Sequence, residues 1–137
     1  MTVYIYPMNM DTDLARVTEL LRLASALESD DLESALWQVV AVAQGGAIVG
    51  YGVAGRAPAM AADMLWLSVV VDPAEREPGI AAMLYDDLIQ FAWEIGATSI
   101  ELAGRVAVRD RVRVATRRGL RLVRCGAEPA LASQDCA

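Results

Sequence analysis

Hydrophobic spacing along the chain changes period several times, and each change marks an element. Val3 to Tyr6 alternates in part and predicts a first strand that Pro7 ends. Leu14, Val17, Leu20, Leu21 and Ala24 then fall on one helical face, with Asp11 or Thr12 available as the cap. Ser29-Asp30-Asp31 is a second capping cluster and predicts a short helix near Leu32 to Leu36. Trp37 to Ala43 and Ala47 to Gly55 read as two strands joined at Gln44-Gly45-Gly46, a hairpin. Gly50, Gly52 and Gly55 thin one part of the second strand, which suits close packing against another element or space for a ligand. Arg56 to Ala62 reads as a loop.

The next stretch organises the rest. Asp63 to Val71 is a strand whose apolar, β-branched run from Trp66 suits burial on both faces, and Asp72-Pro73 stops it. Gly79 to Trp93 carries Ile80, Met83, Leu84, Leu88, Phe91 and Ala92 at helical spacing, and Gly96 closes that helix. Thr98 to Ala103 predicts a strand with Ile100 and Leu102 on one face and Glu101 and Ala103 on the other. Arg109 to Arg118 predicts a last helix with Val108, Val112 and Ala115 turned inward, stopped by Gly119, and Leu120 to Cys125 a final strand. Residues 126–137 carry weak signals and are expected to form an irregular tail after one domain spanning 1–125. A meander followed by βαβ units predicts a single α/β domain with a mixed sheet and helices on both faces.

The junction between the central strand and its helix has the chemistry of an anion site. A helix N-terminus leaves amide N–H groups without partners, and its dipole favours negative charge there. Gly79 lets a ligand approach the backbone, Ala81 is small, and Arg76 adds a cation. A pyrophosphate suits such a junction, and so does an ordinary βα turn with no ligand.

Val71, Pro73, Arg76, Gly79, Ile80, Ala81 and Leu84 together resemble the acyl-CoA signature of the GNAT superfamily of N-acetyltransferases, whose core is Q/R-x-x-G-x-G/A. The resemblance runs from about Ala47 to Val123 and ends near Gly119-Leu120, where the family often has Gly-Phe. It implies a mostly antiparallel central sheet in which acetyl-CoA inserts between two splayed strands. It implies that the backbone of Val69, Val70 and Val71 holds the pantetheine arm. The N–H groups from Glu77 to Ala82, including those of Gly79, Ile80, Ala81 and Ala82, would hold the diphosphate beside Arg76. Two residues depart from the pattern. Glu77 puts a carboxylate where a glycine is common, and Pro78 removes one donor. One neutral hydrogen bond is worth about 1 kcal/mol, so that loss weakens binding by less than about tenfold.

The catalytic groups are less defined. Acetyl transfer to an amine needs an aligned thioester, a polarised carbonyl and a base for the ammonium proton. Glu101, mid-strand, and Asp63, at the head of the signature strand, are the candidate bases, directly or through water; either also serves as a structural or solvated carboxylate. The family's frequent acid, a tyrosine four residues before the Gly-Phe pair, corresponds to Ala115, and the asparagine that often opens that helix falls near Val108. Tyr51 and Tyr85 are alternative acids; Tyr4 and Tyr6 have no better claim. An alternative reading follows from these departures: a GNAT-fold module that has lost chemistry and binds or regulates.

Composition narrows the remaining classes. None of the 137 residues is histidine, which excludes Ser-His-Asp triads, Cys-His pairs and histidine metal ligands. Cys125 and Cys136, without a CxxC, read as free thiols, so no metal is expected. Met1 to Met10 lacks the basic start and apolar stretch of a leader, and no run is long enough for a membrane span, which predicts a cytoplasmic protein. The net charge of −6 hides an asymmetry: residues 105–124 hold eight arginines and one acid, leaving −13 on the remainder. The arginines suit a solvated helix paired with the acidic N-terminal half, contact with the CoA 3′-phosphate, or nucleic acid. Net negative charge and few aromatics argue against nucleic acid. The acidic helices near the N-terminus suit solvation, or attraction of a cationic amine-bearing small molecule or peptide. A sheet edge left open would admit a second chain, as in a homodimer.

Overall fold

A computed structural model describes residues 3–24, 33–58, 60–75, 78–102 and 121–125. Arg76, Glu77, the residue 29–31 cap, the helix read over 109–118 and the tail at 126–137 lie outside the described residues. So does the arginine segment except at Arg121 and Arg124, whose backbone is in a strand.

Six strands form one sheet in chain order: β1 (Val3–Pro7), β2 (Ala35–Ala43), β3 (Ile48–Gly55), β4 (Met64–Val71), β5 (Ser99–Leu102) and β6 (Arg121–Cys125). The first three pairings are antiparallel and the last two parallel, the mixed, mostly antiparallel sheet expected. Helix α1 (Met10–Ala24) covers one face and helix α2 (Pro78–Glu94) the other. Alternation along the strands sorts the core accordingly. Val40, Tyr51, Val53, Trp66 and Val70 join Val17, Leu20 and Leu21 of α1. Val39, Ala41, Ala54, Leu65, Leu67, Ile100 and Leu102 join Ile80, Leu84, Leu88 and Ile89 of α2.

Local chemistry sets the element ends. The hairpin turns at Gly45 and Gly46, whose φ angles of 109° and 95° are open to glycine at little cost. Gly96, at φ 85°, ends α2 in a Schellman motif: its N–H donates to Trp93 O at 3.1 Å, and Ala97 N–H to Ala92 O at 3.0 Å. The N-cap of α1 is Asn9, ahead of Asp11 or Thr12. Its Oδ1 accepts from Asp11 N–H at 2.9 Å while its own N–H donates to Asp13 Oδ2 at 2.9 Å. Leu36, read as the end of a short helix, lies in β2, because Ala35 already pairs with Gly55.

The thin stretch of β3 is filled by protein. A Cβ on Gly50 would stand 2.9 Å from Leu84 Cδ1, and one on Gly52 would stand 3.2 Å from both Leu88 Cδ1 and Val39 Cγ2. The first two glycines admit α2 against the sheet, so close packing, not ligand space, explains them. Trp37 fastens the same helix to β2, stacking on Phe91 at 5.6 Å between ring centroids and donating from Nε1 to Asp87 Oδ1 at 2.9 Å. No helix among the described residues is long and apolar enough to cross a membrane.

Candidate active site

Among the described residues, strand β4 outruns its parallel neighbour. On the β3 side it is paired from Gly55↔Trp66 to Gly50↔Val71. On the β5 side pairing covers only Met64↔Ser99 to Leu67↔Leu102. Among the described residues, Ser68 to Val71 therefore pair on one side alone. This places the predicted pantetheine residues Val69, Val70 and Val71 on the stretch past the last β4–β5 pair. Val69 and Val71 are half-buried toward α2, and Val70 is buried toward α1.

The turn after β4 is tightly specified. Asp72 N–H donates to Val49 O at 2.9 Å, and Asp72 O accepts from Glu75 N–H at 2.8 Å. Its Oδ1 accepts from Ala74 N–H at 2.9 Å, an Asx turn, and its Oδ2 accepts from Arg16 Nη2. The Ala74 N–H and then the Arg16 guanidinium hold the Asp72 carboxyl below the usual carboxylate range.

Helix α2 starts at Pro78, where a missing N–H costs nothing inside the helix. Gly79 is exposed, and among the described residues a Cβ there would meet nothing within 4 Å. A helix opening at Pro78 leaves the first-turn amides of Gly79 and Ile80 without an acceptor inside it. Ala81 and Ala82 stand past that pair, where helical amides reach carbonyls four residues back, that of Pro78 for Ala82. Ile80 is 1% exposed and its side chain packs beneath Gly50, so only its main chain can serve a ligand. Ala81 and Ala82 are half-buried.

The two candidate bases part company. Glu101 is half-buried on β5, in register with Trp66 on one side and Arg124 on the other, one residue before the β4–β5 pairing ends. By alternation it lies on the α1 face, opposite Ile100 and Leu102. Asp63 precedes β4 and accepts from Thr98 Oγ1 at 2.6 Å, while its main-chain O accepts from Thr98 N–H at 2.8 Å. It fastens the start of β5 to β4 and lies six residues from Val69, roughly 20 Å along an extended strand. The structure brings Glu101, not Asp63, toward the free stretch of β4.

The tyrosines are placed as structural groups. Tyr51 is buried opposite Val70, and its hydroxyl donates to Gln38 Oε1 at 2.6 Å. Burial pushes that phenol above its ordinary pKa, so it holds its proton. Tyr85 is buried in the α2 core. Tyr4 and Tyr6 stand exposed on edge strand β1, their ring centroids 6.3 Å apart.

The sequence model of the Acetyltransferase (GNAT) family matches residues 7–120. The chain belongs to the GNAT family of acetyltransferases. Among curated proteins no sequence match reaches significance. Among solved structures the GNAT chain is similar to ribosomal-protein-alanine N-acetyltransferase from Brucella melitensis, at 18% identity and TM-score 0.63 over 85% of this chain and 83% of that one. It is similar to yncA from Salmonella typhimurium, solved with its cofactor acetyl-CoA, at 21% identity and TM-score 0.58 over 72% and 67% of the two chains. It is also similar to phosphinothricin acetyltransferase from Sinorhizobium meliloti in complex with AcCoA, at 20% identity and TM-score 0.54 over 71% and 63%. These likenesses carry the fold.

Within this GNAT fold, sequence reasoning missed Arg16 and Asp72, the residues that fix the exit of β4. Asp72 read as a strand stop, and spacing gave Arg16 no role. Their meeting spans 56 residues, beyond the reach of any spacing rule. Ser34 was missed as well: its Oγ accepts from Trp66 Nε1 at 3.2 Å and so ties down the indole that abuts Gly55. No group of three His, Cys, Asp or Glu residues among the described ones is placed to hold a metal.

Proposed function

We propose that this GNAT protein moves an acetyl group from acetyl-CoA to a primary amine by direct attack. One observation carries the reading: among the described residues β4 continues past its last β5 pair, a fixed turn follows at Asp72, and α2 then starts with nothing within 4 Å of a Cβ on Gly79. The residues present suit the cosubstrate. A main-chain edge at Val69 to Val71 matches the amide-rich pantetheine arm, and the amides of Gly79 and Ile80 match a diphosphate. Arg76 adds charge at the same junction.

In this reading the amine nitrogen attacks the thioester carbonyl carbon. A C–N bond forms, the C–S bond breaks, and CoA leaves as a thiolate that takes up a proton. A β4 amide polarises the carbonyl. Glu101 takes the ammonium proton, directly or through water, and Asp63 is kept for the β4–β5 junction. The acceptor is an amine-bearing small molecule or peptide.

Calorimetric titration with acetyl-CoA tests donor binding; no heat at millimolar ligand ends the reading. Thiol release with a panel of amines tests turnover. Loss of a general base costs about 10²- to 10⁴-fold in rate, so Glu101→Gln should lower kcat by that order while Asp63→Asn leaves kcat near wild type. Ala115, where the family often has a tyrosine, favours a second reading as a CoA-binding module without chemistry. Binding of CoA with no thiol release from any amine would select it.

A further inference from the structure

Arg16 makes contacts that an ordinary surface ion pair does not. It stands on α1, yet its guanidinium joins three elements. Nη2 donates to Asp72 Oδ2 just past β4, Nε donates to Ile48 O at the head of β3 at 3.1 Å, and Nη1 donates to Glu19 Oε1 at 2.9 Å. The Arg16 and Asp72 side chains are 30% and 18% exposed, so water screens the pair only in part.

Asp72 divides its oxygens. Oδ1 and the main-chain O hold the turn through Ala74 N–H and Glu75 N–H, which leaves Oδ2 for Arg16. The guanidinium therefore fixes the carboxylate that shapes the turn, and the turn sets the direction in which the chain leaves β4 toward α2. A planar fork that meets a carboxylate and a carbonyl at once holds direction as well as charge, which one ammonium cannot do.

We infer that Arg16 is a positioning residue for the donor site: acting through Asp72, it holds the 72–75 turn so that the free edge of β4 and the first-turn amides of α2 present themselves together. The inference rests on the donor-binding reading above. Arg16 itself touches no substrate. Its contribution is to order these groups before the ligand arrives, so that binding does not have to.

The test compares two probes, CoA and pantetheine, the second lacking the diphosphate. Arg16→Gln should weaken CoA binding by about threefold to tenfold while leaving pantetheine binding unchanged. Asp72→Asn keeps an acceptor for Ala74 N–H and should give the same split. The double variant should lose no more than either single one, because both remove one interaction. Arg16→Lys should recover less than the wild-type affinity. Equal weakening of both probes would mean that the contact only supports the fold, and unchanged CoA affinity would mean that it does nothing for the site; either overturns the inference. Amide exchange in the free protein provides a readout independent of ligand. Arg16→Gln should speed exchange at Ala74 and Glu75 and leave Leu65 and Leu67 unchanged. Unaltered exchange at the turn overturns the inference even if the wild-type protein proves not to bind CoA, an outcome that would separately end the acetyl-CoA reading.

Discussion

A methyl group on Gly55 would meet the Trp66 ring at 2.5 and 2.6 Å and Ser34 O at 2.7 Å. Neither neighbour is the end of a flexible side chain, and the indole is further held by its bond to Ser34 Oγ. On Gly50 the closest atom is a Leu84 methyl, which can shift. Gly55→Ala should therefore destabilise by about 1–3 kcal/mol and Gly50→Ala by less, an order that urea unfolding midpoints will show. Asp72 supports a second expectation. Its carboxyl is lowered in the folded state, so its contribution is present above about pH 4, the usual carboxylate value, and is lost as pH falls through the lowered one. The stability gap between wild type and Asp72→Asn should stay constant near neutral pH and shrink on acidification below about pH 4. Glycines at 50, 52 and 55 were visible in the chain, but what stands over them was not. Over Gly50 and Gly52 that is α2, about thirty residues further on; over Gly55 it is Trp66 and Ser34.

Helix α1 shows how an element start is chosen among equals. Asn9, Asp11, Thr12 and Asp13 are all capping types within five residues. Asn9 prevails because Asp13 returns to its N–H and closes a reciprocal pair, whereas Thr12 Oγ1 donates only to Asp13 Oδ1 at 3.1 Å. Asn9→Ala should cost about 1 kcal/mol and lower Tm by about 3–5 °C, while Thr12→Ala should stay within about 0.5 kcal/mol. Thermal unfolding followed by circular dichroism distinguishes the two. At the other helix, Gly96 and the Schellman bonds were legible from one glycine after an apolar run, since that motif is built from neighbours. The start of β2 was not. Ala35 is drawn into the strand by Gly55, and Arg56 N–H donates to Ser34 O at 3.1 Å, so long-range pairing sets where β2 begins.

At the scale of the whole molecule, helices α1 and α2 cover the two faces of a sheet in which, among the described residues, β4 runs on past its last β5 pair. A ligand that bridges the β4 edge and the α2 start joins elements already fixed by Arg16, and it should stabilise the folded state by mass action. Acetyl-CoA at about one hundred times its Kd should add about 2.7 kcal/mol, read as a rise in Tm that pantetheine at equal excess over its own Kd matches. Equal concentrations should instead separate the two, in favour of acetyl-CoA. The sequence by itself determined the periods, the turns at Gly45-Gly46 and Gly96, the β4–turn–α2 junction and its family. All of these are written in residues within a few positions of one another. Only the tertiary structure decided which carboxylate stands beside the open strand, that α2 and not a ligand fills the thin part of β3, and that Arg16 reaches Asp72. Those outcomes depend on strand register and on contacts between residues dozens of positions apart, which packing of the whole core sets and local spacing cannot.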